Sequence, residues 1–329
     1  MATNHRITLA QRPSGEVGPE CFAADDVDAP TPGPGEALVE VTWLSIDPTI
    51  RGWMQQDTYL PAIAIGEPIR SGGLGTVVES NNDDLPIGAT VFGMMGWQQY
   101  AVAGPDARVI PDGIEPDAAL SVFGVTGLTA YFGLLDVGEP KEGDTVLVSG
   151  AAGATGSVVG QIAKIKGCRV VGIAGTDEKC AWLTDELGFD AAINYRSEDV
   201  STAIGATCPN GVDIFFDNVG AEILEAGLDH LAMNARVVLC GAIAQYNDTE
   251  PRPGPPNLMN LVVQRSRMEG FLVLDYLDRA DEAITDLVTW VLEGTLTYAV
   301  DVVDGLDNAP EALNRLFTGA NTGKVMVRL

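Results

Sequence analysis

Histidine is the scarcest residue type in this chain, which contains only His5 and His230. A structural or catalytic zinc ion needs three or four histidine, cysteine or carboxylate ligands close together. Neither histidine has a cysteine or a second histidine at the spacing of zinc ligands. The sequence therefore predicts no metal site, and in particular no catalytic zinc.

Cysteine and long apolar runs are also lacking. The five cysteines are widely spaced and lie mostly in apolar segments, which predicts free thiols without a disulfide framework. No apolar run approaches the ~18 residues of a membrane-spanning helix. The first residues, MATNHR, lack the apolar segment of a secretory signal, so we expect a cytoplasmic protein.

Lysine accounts for only five of the 19 basic residues, which face 46 acidic ones and leave a net charge of −27. This charge makes nucleic acids and anionic membranes poor partners. Acidic residues usually form no more than a solvated surface. Here the excess extends over the whole chain, which indicates adaptation to high salt, where screening weakens the repulsion.

The length of 329 residues predicts two domains. Residues 1–124 contain short strand-like segments separated by glycine and proline, as in a β-barrel. In residues 125–294, helical segments alternate with strands near 145–149, 169–174, 191–195, 212–217 and 236–240. This alternation predicts a doubly wound parallel α/β sheet, the Rossmann fold. Residues 295–329 return to strand character, and we expect them to rejoin the first domain.

The most informative segment is the glycine-rich turn after the strand near 145–149. Glycines stand at 150, 153 and 156, and Val158, Ile162 and Ile165 then recur at helical spacing. Glycine allows a sharp turn and a close approach of the backbone, while the following helix directs its first N–H groups toward an anion. This context predicts a nucleotide diphosphate site rather than an ordinary turn.

The end of the second Rossmann strand distinguishes NADPH from NADH, because a carboxylate there binds the adenosine ribose 2′-hydroxyl and repels a 2′-phosphate. Here the strand ends at Gly175, and Thr176 and Lys179 follow, which favours the phosphate. Asp177 and Glu178 are the competing acidic candidates. A third interpretation is that these residues only cap the next helix, with Thr176 as its N-cap.

Several further segments occur in the order found in one enzyme family. They lie at 44–52 (LSIDPTIRG), 126–134 (TGLTAYFGL), 217–220 (DNVG), 240–247 (CGAIAQYN), 269–273 (EGFLV) and 319–324 (GANTGK). With these motifs the chain resembles the zinc-independent medium-chain dehydrogenase/reductases, in the branch of the 2-alkenal reductases, the leukotriene and prostaglandin reductases and their bacterial NADPH-dependent relatives. The resemblance implies a GroES-like substrate domain and a Rossmann domain that binds NADP(H).

The resemblance also implies which residues bind NADP(H). Gly153, Ala154, Thr155 and Gly156 are expected at the diphosphate. Lys179 and Tyr195 are expected at the adenosine end, with Asn218 along the cofactor. Near the nicotinamide we expect Cys240, Gly241, Ala242, Ile243, Phe271, Leu272, Val273 and Asn321. Plain structural roles in packing or turns remain open for Tyr195, Asn218 and Asn321.

Tyr246 is the catalytic residue that the resemblance implies. Its phenol would donate a hydrogen bond to the substrate carbonyl oxygen and stabilise the enolate that forms when hydride reaches the β-carbon. A surface tyrosine is the structural alternative. Tyr59 is expected to line the substrate cavity. Some members of the family have a tyrosine after the early Asp-Pro, where this chain has Thr49, so the pocket wall differs.

The implied activity is the NADPH-dependent reduction of the C=C bond of α,β-unsaturated aldehydes and ketones. Two alternatives remain open at this point. One is a quinone oxidoreductase, which uses the same cofactor without a tyrosine acid, and the other is a non-catalytic NADPH-binding protein. The expected partners are a small-molecule substrate and a second copy of the chain in a homodimer.

The acidic composition leads to a first prediction, that the melting temperature rises steadily between dilute buffer and molar KCl. At 1 M salt the Debye length is about 3 Å, which removes most of the repulsion among the carboxylates. Differential scanning calorimetry measures the melting temperature, and titration calorimetry with NADPH serves as the control, because salt weakens binding of a charged ligand. A flat or falling melting temperature contradicts the high-salt interpretation.

Overall fold

The computed structural model describes residues 2–329, which form two compact units. The first contains the residues up to Leu120, together with Tyr246–Thr249 and Val300–Leu329, and the second contains Ser121–Gln245 and Glu250–Ala299. The limits of the units therefore lie a few residues from the expected boundaries at 124 and 294. The short segment Tyr246–Thr249 belongs to the first unit, although its sequence neighbours belong to the second.

The first unit is rich in β-structure. Its elements are β1 (Thr3–Leu9), β2 (Phe22–Asp28), β3 (Ala37–Ile46), α1 (Thr49–Gln55), β4 (Gly72–Ser80), β5 (Thr90–Met94), β6 (Tyr100–Ala103), β7 (Arg108–Val109), α2 (Pro116–Leu120), β14 (Val300–Asp304), α10 (Ala309–Thr318) and β15 (Lys324–Arg328). The main sheet has the order β14-β15-β3-β4-β5-β7, with β6 also paired to β3, and β1 and β2 form a separate hairpin.

The C-terminal strand β15 is part of this main sheet. It pairs antiparallel with β3, so that Val325 lies opposite Ile46 and Arg328 lies opposite Trp43. Val325, Met326 and Val327 are fully buried. Burial of apolar side chains from both ends of the chain therefore closes the core of the first unit.

The second unit is a doubly wound α/β sheet. Its elements are α3 (Val125–Phe132), β8 (Thr145–Val148), α4 (Ala154–Ile165), β9 (Arg169–Ala174), α5 (Asp177–Asp185), β10 (Ala191–Asn194), α6 (Val200–Thr207), β11 (Val212–Asp217), α7 (Ala221–Leu228), β12 (Leu231–Leu239), α8 (Met259–Val263), β13 (Arg267–Gly270) and α9 (Ala280–Leu292). The strands are all parallel, in the order β10-β9-β8-β11-β12-β13. The predicted fold class is confirmed.

The central strands of this sheet consist of residues that can be buried. All four residues of β8 are buried, as expected for a strand with helices on both faces of the sheet. The strand order reverses direction between β8 and β11, and in such sheets the crevice beyond this point binds ligands. Both strands end there in polar residues, Ser149 after β8 and Asp217 at the end of β11.

The sixth strand, β13, was not among the strands expected from the sequence. It is short, lies at the edge of the sheet and is largely exposed. Its sequence, RMEG, has no apolar run because only a buried strand requires one.

None of the helices in the described residues 2–329 is both long and apolar enough to span a membrane.

Candidate functional site

The glycine-rich turn joins β8 to α4 at the carboxyl edge of the parallel sheet. Gly150 has a φ of +58°, a conformation that side chains disfavour. A Cβ atom on Gly156 would overlap the carbonyl oxygen of Gly150, so only glycine fits there. Gly153 is the N-cap of α4 and offers no side-chain acceptor. The first N–H groups of this 12-residue helix are therefore not capped by its N-cap side chain, an arrangement that fits a diphosphate.

A buried carboxylate, Asp217, organises the neighbouring strand end. Its oxygens accept hydrogen bonds from the Ser149 hydroxyl (2.6 Å), the Val219 amide (3.1 Å) and the Gly220 amide (3.0 Å). Burial raises the pKa of Asp217 above its ordinary value, although the three donors act in the opposite direction. Asp217 lies in the DNVG motif, but the sequence alone assigns it no role, because burial cannot be read from one aspartate after an apolar strand.

Asn218 is fixed by the same network. Its backbone amide donates to the Ser149 hydroxyl (2.8 Å), and its side-chain amide donates to the Ser149 carbonyl oxygen (2.7 Å). Asn218 therefore does have a structural role in a turn, since its Nδ2 atom holds the residue that precedes the glycine-rich turn. Its carboxamide oxygen accepts no hydrogen bond from residues 2–329, so Asn218 retains an acceptor for a ligand.

The segment after β12 lies beside Asn218. The amides of Cys240 and Gly241 donate to the Asp217 carbonyl oxygen, and the amide of Ile243 donates to the Asn218 carbonyl oxygen (3.3 Å). A Cβ atom on Gly220 would lie 3.2 Å from the Cβ atom of Ala242. Burial raises the pKa of the Cys240 thiol to about 12, so this thiol remains protonated at neutral pH.

The end of β9 provides the second group of predicted residues. Thr176 caps α5, because its hydroxyl oxygen accepts a hydrogen bond from the Lys179 amide (3.2 Å). Thr176 is therefore the N-cap of α5, and this contact uses one of the two lone pairs of its hydroxyl oxygen. Asp177 accepts a hydrogen bond from the side-chain amide of Asn194 (2.6 Å), which engages one of its two oxygens within the protein.

Tyr195 lies against the same strand end. A Cβ atom on Gly175 would be 2.9 Å from the Tyr195 hydroxyl oxygen, so the tyrosine ring passes over the glycine. The Arg196 guanidinium lies 5.8 Å from the centre of the Tyr195 ring. Arg196 is a cation that is not among the residues expected from the sequence. It was missed because the packing of its neighbour Tyr195 against Gly175 depends on the pairing of β9 with β10.

The segment after β13 contains the remaining predicted residues of the second unit. The Phe271 ring packs against the buried Phe216, with 6.3 Å between ring centres, and is itself half-buried. Leu272 is partly exposed, and Val273 begins a short 3-10 helix. Only the backbone of this segment was expected at the cofactor.

Tyr59, Tyr246 and Asn321 belong to the first unit. The Tyr59 hydroxyl is hydrogen-bonded to that of Thr49 (2.8 Å), and burial raises the pKa of Tyr59. The residue that distinguishes this chain from tyrosine-bearing relatives is therefore in direct contact with the expected pocket tyrosine. The Asn321 side chain donates to the Gly323 carbonyl oxygen (2.9 Å), which supports its role in a turn.

No group of three or more histidine, cysteine, aspartate or glutamate residues within residues 2–329 is arranged to hold a metal ion. Residues 5–110 match the family model for the N-terminal domain of oxidoreductases, and residues 154–292 match the model described as zinc-binding dehydrogenase. The chain is 42% identical to the NADPH-dependent curcumin reductase of Escherichia coli (strain K12), with 99% of this chain and 97% of that protein covered. It belongs to the zinc-independent branch of the medium-chain dehydrogenase/reductases.

Two further comparisons agree with this assignment. The chain is 40% identical to the NADP(+)-dependent 2-alkenal reductase of Nicotiana tabacum, with 90% of this chain and 88% of that protein covered. The crystal structure of CurA from Vibrio vulnificus in complex with NADPH matches with a TM-score of 0.94 and 41% identity, over 98% of both chains. The resemblance inferred from the sequence motifs is confirmed.

We predict that Asp217→Ala destabilises the protein by about 3 kcal/mol or more, since it leaves three donors without an acceptor. Asp213→Ala is the matched control on the same strand, because the Asp213 side chain accepts one hydrogen bond, from the Thr145 amide (2.8 Å). We expect the control to cost about 1 kcal/mol. Urea unfolding followed by circular dichroism measures both, and equal losses would contradict the organising role of Asp217.

Proposed function

We propose that this protein reduces the C=C bond of α,β-unsaturated aldehydes and ketones with NADPH. The observation that carries the proposal is the similarity, over nearly the whole chain, to proteins named as NADPH-dependent curcumin reductase and 2-alkenal reductase. The uncapped N-terminus of α4 beyond the glycine-rich turn supports the binding of the cofactor diphosphate.

The residues of the second unit account for cofactor binding. In this proposal Gly153, Ala154, Thr155 and Gly156 offer their backbone to the diphosphate. Lys179, Tyr195 and Arg196 hold the adenosine end, where a cation favours the 2′-phosphate. When bound, NADPH supplies the hydride. Asn218 and the segment that begins at Cys240 orient the nicotinamide and exclude water from it.

The residues of the first unit account for substrate activation. Tyr246 donates a hydrogen bond to the substrate carbonyl oxygen, which stabilises the negative charge that develops there as hydride reaches the β-carbon. A proton from solvent water then adds to the α-carbon of the enolate, so the product is the saturated carbonyl compound. The Thr49 and Tyr59 hydroxyls form the polar wall of the substrate pocket.

Replacing Tyr246 by phenylalanine tests this mechanism, because it removes one hydroxyl and keeps the ring. We predict that kcat with an enone falls about a hundredfold, which is typical of losing one hydrogen-bond donor to a developing oxyanion, while NADPH affinity is retained. NADPH oxidation is followed at 340 nm with a panel of enals, enones and quinones. Turnover of quinones alone, unaffected by the substitution, would favour a quinone oxidoreductase, and no turnover of any substrate would favour a binding protein.

The cofactor preference is tested by Lys179→Ala. Loss of a charge-assisted contact to the 2′-phosphate costs about 1.5–3 kcal/mol, so KM for NADPH should rise about tenfold or more. KM for NADH should hardly change. Lys166→Ala is the matched control, because Lys166 lies at the other end of α4, over the Trp290 ring. An equal rise for both cofactors would show that Lys179 is structural.

We also propose a homodimer, formed through the edge of the Rossmann sheet. The edge strand β13 is largely exposed, and Met259, Val262 and Val263 of the preceding α8 are more than half exposed. Open strand edges and clustered apolar side chains are usually covered in native proteins, and a two-fold axis lets two identical edges pair. The mass in solution, measured by light scattering, tests this proposal.

A further inference from the structure

Helix α1 contains a buried arginine that the proposed mechanism does not use. Arg51 is 3% exposed, and burial lowers the pKa of its guanidinium. Although the chain has 46 acidic residues, Arg51 forms no ion pair within the described residues 2–329. Burying a cation without a carboxylate is unfavourable unless hydrogen bonds replace its hydration.

All hydrogen bonds of the Arg51 guanidinium go to neutral oxygen atoms. Nε donates to the side-chain oxygen of Asn247 (3.2 Å), Nη2 to the Gly15 carbonyl oxygen (2.9 Å) and Nη1 to the Gln55 side chain (3.4 Å). Gln55 lies on α1 itself. The other two acceptors lie far from α1 in the sequence, so Arg51 connects three separate parts of the first unit.

The acceptor Asn247 directly follows Tyr246. The segment Tyr246–Thr249 is the short part of the first unit that is surrounded in sequence by residues of the second. Gly15 borders this segment as well, because a Cβ atom on Gly15 would lie 3.5 Å from the Cγ2 atom of Thr249. Arg51 therefore bonds both to the segment and to the loop that packs against it.

Helix α1 is a rigid base for this contact. At its start, the buried Lys324 ammonium donates to the Ile46 carbonyl oxygen (2.9 Å) and forms an ion pair with Asp47. The Ser45 hydroxyl donates to the other oxygen of Asp47. These bonds tie the residues before α1 to β15, so the position of Arg51 is fixed by the sheet.

We propose that Arg51 is the positioning residue for Tyr246, acting through Asn247. The proposal deepens the proposed function and rests on the role assigned there to Tyr246. The guanidinium holds the side chain of the next residue, and thereby fixes the backbone from which the phenol extends. A displacement of about 1 Å at a reacting group can reduce turnover about a hundredfold.

Asn247→Ala and Gln55→Ala form the matched pair that tests the proposal, since each removes one acceptor of Arg51 and only the first touches the segment. For Asn247→Ala we expect kcat with an enone to fall about ten- to a hundredfold, with KM for NADPH within about twofold of the original protein. Gln55→Ala should retain both values. Asn247→Asp, which offers Arg51 a charged acceptor, should retain kcat.

Arg51→Gln and its combination with Tyr246→Phe give the second comparison. If Arg51 acts through the phenol, the double variant is no slower than Tyr246→Phe alone, because effects of residues acting as a unit are not additive. Multiplicative losses, or equal kcat values for Asn247→Ala and Gln55→Ala, overturn the proposal. If Arg51→Gln does not fold, the matched pair still decides.

Hydrogen exchange of the amides at 246–249 separates this proposal from the proposed function. Faster exchange in Asn247→Ala than in Gln55→Ala supports the positioning role, and identical exchange overturns it. This measurement needs no substrate. An original protein that reduces no enone refutes the proposed function, and the exchange rates then still show whether Arg51 holds the segment.

Discussion

The hydrogen bonds of the buried Asp217 carboxylate are the constraint on which the predicted cofactor residues depend. Its side chain connects the end of β8, through Ser149, to the turn after β11, and its carbonyl oxygen accepts the amides of Cys240 and Gly241. Three neighbouring strand ends are thereby held in one arrangement. Loss of any of these hydrogen bonds would leave a buried polar group without a partner and would lower the stability of the fold. The carboxylate and its three donors therefore keep their positions relative to one another. This explains why the glycine-rich turn and the segment after β12 keep a common geometry.

The sequence was sufficient to predict the fold class, because it is encoded by local features. The apolar run of β8 indicates a buried strand, and Gly156 indicates a close backbone approach, because only apolar residues and only glycine fit at these two places. Edge strand β13 lacks such a signal, because one side of it is open to solvent. Patterns of apolar residues therefore locate the centre of a parallel sheet better than its edge.

Individual site residues were harder to predict, because their roles depend on partners distant in sequence. The sequence already indicates the N-cap role of Thr176, since an N-cap is a local motif. Arg196 and Arg51 gave no comparable signal. Arg51 depends on Asn247, which only the folded chain brings near it, and Arg196 depends on the packing of its neighbour Tyr195 against Gly175. A helix cap such as Thr176 can be predicted from neighbouring residues, whereas the burial of a charged residue such as Arg51 cannot.

Asp217 and Arg51, two of the buried charged groups, share a property that bears on the acidic composition. Asp217 and Arg51 are both stabilised by neutral hydrogen-bonding groups, whereas exposed pairs such as that of Arg328 with Asp304 join opposite charges at the surface. Salt screens exposed ion pairs strongly and buried hydrogen bonds only weakly. On the high-salt interpretation of the composition, surface ion pairs would then contribute little. The geometry at the ends of β8, β11 and β12 and at α1 would be retained, because it depends on contacts that ions in solution do not reach.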